Sequence, residues 1–192
     1  MAELVISVLA GACCVYLTSA VAKLRSRRAY LSFRMGLAET KLVQPRLLPA
    51  VAALLAGCEA LVSVSTAVVI VLGVARWGDA GTAIAATLGL AIALTGALAG
   101  GIAVILRRGT QARCACFGAV SDQLLGRSQL ARNSVLLAAV TTALICSRDN
   151  HGQPSVGGAV VAAMAGGVIG LLLIRLDDIV ELFGPISTGN PG

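Results

Sequence analysis

Cys114 and Cys116 stand one residue apart in the stretch Arg113-Cys114-Ala115-Cys116-Phe117-Gly118-Ala119. A thiolate is the reactive form of cysteine, and a cation beside it favours that form. Arg113 supplies one directly, with Arg107, Arg108 and Arg127 close in sequence. A disulfide closed across a single residue makes a small ring of poor geometry, and strained bridges are easily reduced. The pair is therefore suited to cycling between dithiol and disulfide by thiolate attack through a mixed disulfide. Cys114, next to Arg113, is the expected first nucleophile. Two other readings stay open: half of a tetrahedral zinc or copper(I) site, or two small side chains packed in a loop. No second Cys/His pair lies at ligand spacing, which disfavours metal within one chain.

Glu59 is the second residue with chemical potential. It falls about twelve residues into an apolar run, roughly 18 Å along a helix, which places it near the bilayer midplane. An ionisable group at that depth is costly and reads as functional by default. Lys23 and Arg132 are the nearest candidate cations. The bland alternative is a protonated carboxyl bonded to a neighbouring backbone or threonine. Cys13, Cys14, Cys58 and Cys146 lie within apolar runs, where a cysteine behaves as a small hydrophobe; their spread of depths also fits a thiol relay across a membrane.

The elements that position these groups follow from composition. The 192 residues are 57% hydrophobic and only 12% charged, with net charge +6. Their mean hydropathy is +0.90. So few charges cannot cover so much apolar surface, so the fold class is an all-α, polytopic membrane helical bundle. Aromatics are only 3%, which with loop-confined charge excludes nucleic-acid binding. Six cysteines, most of them in apolar runs, exclude a secreted disulfide framework.

Five spans are expected: about Ala2 to Ala22, Leu47 to Ala75, Ala80 to Leu106, Leu130 to Cys146 and Val156 to Ile174. Residues 1–176 form the membrane domain, and 177–192 a short polar tail expected to be disordered. The first run has its basic residues after it, the reverse of a cleaved signal peptide. Residues 23–46 mix seven basic residues with Leu31, Phe33, Met35 and Leu37, the pattern of an amphipathic piece on an anionic lipid surface. Ala52, Ala56 and Ala60 make a small-residue face on the second span. Gly89, Ala93, Ala97 and Gly101, with Gly96 and Gly100 at GxxxG spacing, place the third span inside the bundle. Gly166 and Gly170 repeat the spacing on the fifth. Ser128 is the expected N-cap of the fourth helix, and Arg132 and Asn133 in its first turn are expected to snorkel to the interface.

Thirteen of the fifteen basic residues fall in the first and third loops, at the foot of span four or at the start of the tail. The positive-inside rule then puts the N-terminus out and the C-terminus in, with the cysteine segment at the cytoplasmic face.

Three features together resemble the MauE/DoxX group of membrane proteins, specifically the methylamine-utilisation MauE family. They are Ala22-Lys23-Leu24 ending span one, Glu59 within span two, and Cys114-x-Cys116-Phe117-Gly118 followed by Arg132-Asn133 opening span four. The resemblance covers roughly residues 4–174. It implies a bacterial inner-membrane protein linked to thiol–disulfide chemistry, associated with maturation of a disulfide-rich dehydrogenase subunit and working beside a thioredoxin-like partner.

The reading that follows is a membrane thiol–disulfide redox protein using Cys114 and Cys116, with Arg113, Phe117, Gly118, Glu59, Lys23, Arg132 and Asn133 in support. No bound cofactor is expected, with a quinone left open as electron partner, and homo-oligomerisation is also open. The alternatives are a non-catalytic assembly factor and a proton-coupled small-solute carrier. Exported disulfides form outside, whereas the charge count puts the cysteines inside. Electrons would cross the membrane, or the segment re-enters it, or the topology is inverted.

Overall fold

A computed structural model describes residues 1–76, 81–109, 127–148 and 154–176. Among the described residues there are six helices and no strand: α1 (Ala2–Leu24), α2 (Arg27–Glu39), α3 (Leu48–Arg76), α4 (Gly81–Arg107), α5 (Arg127–Arg148) and α6 (Val156–Ile174). All but α2 are long and apolar enough to cross a membrane. At 1.5 Å per residue the 23 residues of α1 extend about 35 Å, enough for a hydrocarbon core of about 30 Å. The five expected spans are thus present, with ends moved by a few residues. The cysteine segment, His151 and the tail beyond residue 176 lie outside the described residues.

α1 is the hub, packing on α6, α3, α5 and α2. Its Val5, Ile6, Leu9, Ala12, Val15 and Tyr16 are all buried in the core. Against α6 the approach is backbone to backbone. A Cβ added to Gly170 would lie 2.7 Å from the Gly11 carbonyl oxygen, and one on Gly166 would overlap the Ser7 carbonyl. Only hydrogen fits there, and van der Waals contact at that range drives helix association in lipid. Contacts from Glu3 against Gly158 to Gly11 against Gly170 advance together, so α1 and α6 run parallel. α3 runs antiparallel to α1, with Cys13 bonded to the Ser63 carbonyl and Ser19 to Glu59.

The small-residue stripe of α4 corrects the expectation made for it. Gly89, Gly96 and Gly100 have nothing within 4 Å of an added Cβ, and Ala93, Ala97 and Gly100 are exposed. The face that α4 buries carries Ile84, Thr87, Leu88, Ala91, Leu94 and Thr95. Those side chains fill more volume and bring hydroxyls that need partners, so they take the interior and the glycines turn outward.

α2 is the expected amphipathic piece. Ser26 caps it, accepting from the Ala29 N–H at 3.1 Å. Phe33 is its buried residue, while Leu31 and Met35 remain exposed. The Tyr30 hydroxyl reaches the Pro49 carbonyl at 3.4 Å, tying α2 to the start of α3.

Candidate functional site

Lys23 lies in the last turn of α1, where a cation favours the negative end of the helix dipole. Helical side chains tilt toward the N-terminus, so this one points back into the bundle rather than out to the interface. Its Nζ meets Glu59 Oε1 at 2.5 Å and Oε2 at 2.6 Å. One turn earlier, the Ser19 hydroxyl accepts from Lys23 Nζ at 3.1 Å and donates to Glu59 Oε2 at 3.0 Å. The ion pair is sealed, with both side chains 2% exposed. Phe33 closes it from α2, its ring centroid 4.7 Å from Nζ, within cation–π range. Taking two charges out of water costs several kcal/mol per ion unless each is fully partnered, and the Ser19 bridge and the Phe33 ring supply partners beyond the pair itself.

Glu59 sits at different distances from the ends of the two helices it joins. Its carboxylate is level with Ser19, which is five residues, about 8 Å, from the end of α1. Glu59 itself lies eleven residues into α3, about 17 Å from that helix's start. The first turns of α3 therefore project beyond α1. α2 fills the step between the two ends.

Among the described residues α5 is helical from Arg127, so Ser128 lies within the helix rather than at its N-cap. The same shift brings Gln129 and Arg132 onto the inward face, along with Leu136 one turn further on. Arg132 is 6% exposed and turned toward the bundle, not snorkelling outward. Asn133 Nδ2 donates to the Gln129 carbonyl at 2.8 Å. These residues and the ion pair line one cavity of about 60 Å³, walled also by Tyr16, Leu98, Ile102 and Leu173. That volume holds more than one water. Below it, the Tyr16 hydroxyl reaches the Ala91 carbonyl at 3.2 Å and the Thr95 hydroxyl.

Of the residues singled out from sequence, Lys23, Glu59, Arg132 and Asn133 converge here. Arg113, Cys114, Cys116, Phe117 and Gly118 lie outside the described residues. Cys13, Cys14, Cys58 and Cys146 are free thiols, each half-buried. Cys58 and Cys146 pack against the core, and the Cys13 thiol donates to the Ser63 carbonyl at 3.5 Å. Sequence reasoning missed Tyr16, Ser19, Phe33 and Gln129. Tyr16, Ser19 and Lys23 carried a signal in their i, i+3, i+7 spacing, as Gln129, Arg132 and Leu136 did on α5. Among the described residues no group of three or more His, Cys, Asp and Glu could hold a metal.

Five apolar helices around a buried lysine–glutamate pair define a multi-pass membrane protein whose buried charged residues, Lys23, Glu59 and Arg132, gather at one end of the bundle. A family model described as methylamine utilisation protein MauE matches residues 1–146. The chain belongs to the MauE family. No curated protein and no solved structure matches it.

Proposed function

We infer that this chain is an inner-membrane thiol–disulfide exchanger, with Cys114 and Cys116 as the reacting pair. The observation that carries this reading is the Cys-Ala-Cys-Phe-Gly stretch beside Arg113, in a chain of this family. With Cys114 as thiolate and Cys116 as thiol, the pair closes to a disulfide when a two-electron acceptor such as a quinone takes both electrons, the Cys116 proton and one proton from solution. A thioredoxin-like partner then attacks the bridge through one of its thiols. The mixed disulfide resolves when the partner's second thiol displaces it, leaving the partner oxidised and the pair reduced. That partner passes its disulfide to exported proteins, as the maturation role of methylamine-utilisation proteins would require. In this reading the Lys23–Glu59 pair and Arg132 hold the ends of α1, α3 and α5 in place.

The basic-residue bias favours the N-terminus outside and the C-terminus inside, an orientation in which oxidation of exported proteins requires electrons to cross the membrane. Maleimide labelling of Cys114 and Cys116 in intact cells and in inverted vesicles tests that orientation. The exchange itself is tested by Cys114→Ser and Cys116→Ser, each expected to abolish maturation of the client. Full maturation by both variants would leave the second reading, a non-catalytic assembly factor. The outward small-residue face of α4 is the feature that favours it. The carrier reading has Glu59 as its proton site, and that carboxylate is held by Lys23 and Ser19.

A further inference from the structure

We propose that the outward face of α2 binds the head groups of anionic phospholipids, and that this contact holds Phe33 over the Lys23–Glu59 pair. The proposal does not depend on thiol exchange. α2 has 13 residues, and among them Phe33 alone is buried. A helix that short is marginal on its own in water. One buried ring and the Tyr30–Pro49 hydrogen bond give the bundle little hold on it, so a second surface carries the rest.

The outward residues show what that surface is. At 3.6 residues per turn, Leu31 and Met35 point directly away from Phe33, and they are 37% and 65% exposed. A face turned to water carries polar groups at its centre. Here two apolar side chains take the centre, with Arg27 and Arg34 along one edge and Arg28 along the other. That is the cross-section of a helix lying in a membrane interface, its apolar centre at the acyl boundary and its long cationic chains reaching to the phosphates. Lys41 and Arg46, both exposed, follow on the same connection and extend the cationic field. Among the described residues none of these five cations forms an ion pair, which fits a negatively charged lipid surface rather than a neutral one.

The same helix carries the cover of the buried pair. The Phe33 ring sits 4.7 Å from Lys23 Nζ and lines the cavity beside Glu59. Past α2, Leu42 reaches Gly101 of α4, so the connection crosses this end of the bundle from α1 to α4. Head groups that fix the arginines and bury Leu31 and Met35 favour a formed helix at the level of the membrane surface. That is the position from which Phe33 reaches the pair.

The test uses the full chain in nanodiscs of phosphatidylcholine, alone or mixed with phosphatidylglycerol. Amide hydrogen exchange across residues 30–39 of α2 is expected to slow about tenfold with phosphatidylglycerol. The triple variant Arg27→Gln/Arg28→Gln/Arg34→Gln should lose that difference and exchange in phosphatidylcholine as the unaltered chain does. For depth, Met35→Trp in a Trp77→Phe background, which removes the chain's own tryptophan, should be quenched by acyl-brominated lipid when phosphatidylglycerol is present. Fluorescence unquenched in both lipids overturns the membrane contact. Quenching and exchange that are equal with and without phosphatidylglycerol overturn the anionic assignment. The thermal midpoint of the unaltered chain should rise with phosphatidylglycerol, and Phe33→Ala should lose that rise. A rise that survives Phe33→Ala overturns the link to the ion pair.

Discussion

Along one side of α1, Gly11 meets Gly166 and Gly170 of α6 at backbone contact. Along another, Ser19 and Lys23 meet Glu59 of α3 through side chains. Both contacts join spans in a medium that offers no hydrophobic reward for joining. The glycine seam does it by shape and leaves no space. The charged contact does it by polar partners that would otherwise be stranded. The cavity lies at this second contact, where Gln129 and Arg132 of α5 line it together with Lys23 and Glu59. One contact supplies rigidity, and the other supplies a place for chemistry.

Breaking the charged contact on one side should have the largest effect. Lys23→Met leaves Glu59 buried without its cation and is expected to cost about 3–5 kcal/mol, read as lost resistance to thermal or detergent-induced unfolding. Removing both charges in Lys23→Met/Glu59→Leu should recover part of that loss, because the stranded carboxylate is gone while the buried Arg132 stays. The seam comes next. Gly166→Ala drives a Cβ into the Ser7 carbonyl, and overpacking of this kind costs about 1–3 kcal/mol. Tyr16→Phe removes the hydroxyl that reaches Ala91 and Thr95, at about 1 kcal/mol. Gly96→Ala should be the mildest. It has the same GxxxG spacing but open space around it, so stability should hold or rise by up to about 1 kcal/mol. Equal losses at Gly96 and Gly166 would mean that the outward face of α4 is packed against a second chain.

That pair of glycines also marks how far the sequence could be read. Long uncharged runs announced all five spans, because a bilayer admits little else. GxxxG spacing on α4 and α6 looked alike, since spacing does not reveal what the opposite face of a helix demands. On α4, Thr87, Leu88 and Thr95 outcompete the glycines for the interior. On α6 the partner strip of α1 is itself small. Lys23 and Arg132 were both legible as cations for Glu59. The choice of Lys23 depended on the tilt of its side chain and on how far α3 overshoots α1, which no residue count contains. Gln129 was hidden because it reads as the last residue of a polar loop, and only the earlier start of α5 turns it inward.

Thiol exchange as proposed requires the sulfurs of Cys114 and Cys116 to form and break a bond with each other. The direct measurement is alkylation trapping with a mass-tagged maleimide, in a chain whose other four cysteines are replaced by alanine, after oxidant and after reductant. Both sulfurs are expected to be protected together after oxidation and tagged together after reduction. Two sulfurs tagged under every oxidant, decylubiquinone included, would contradict thiol exchange.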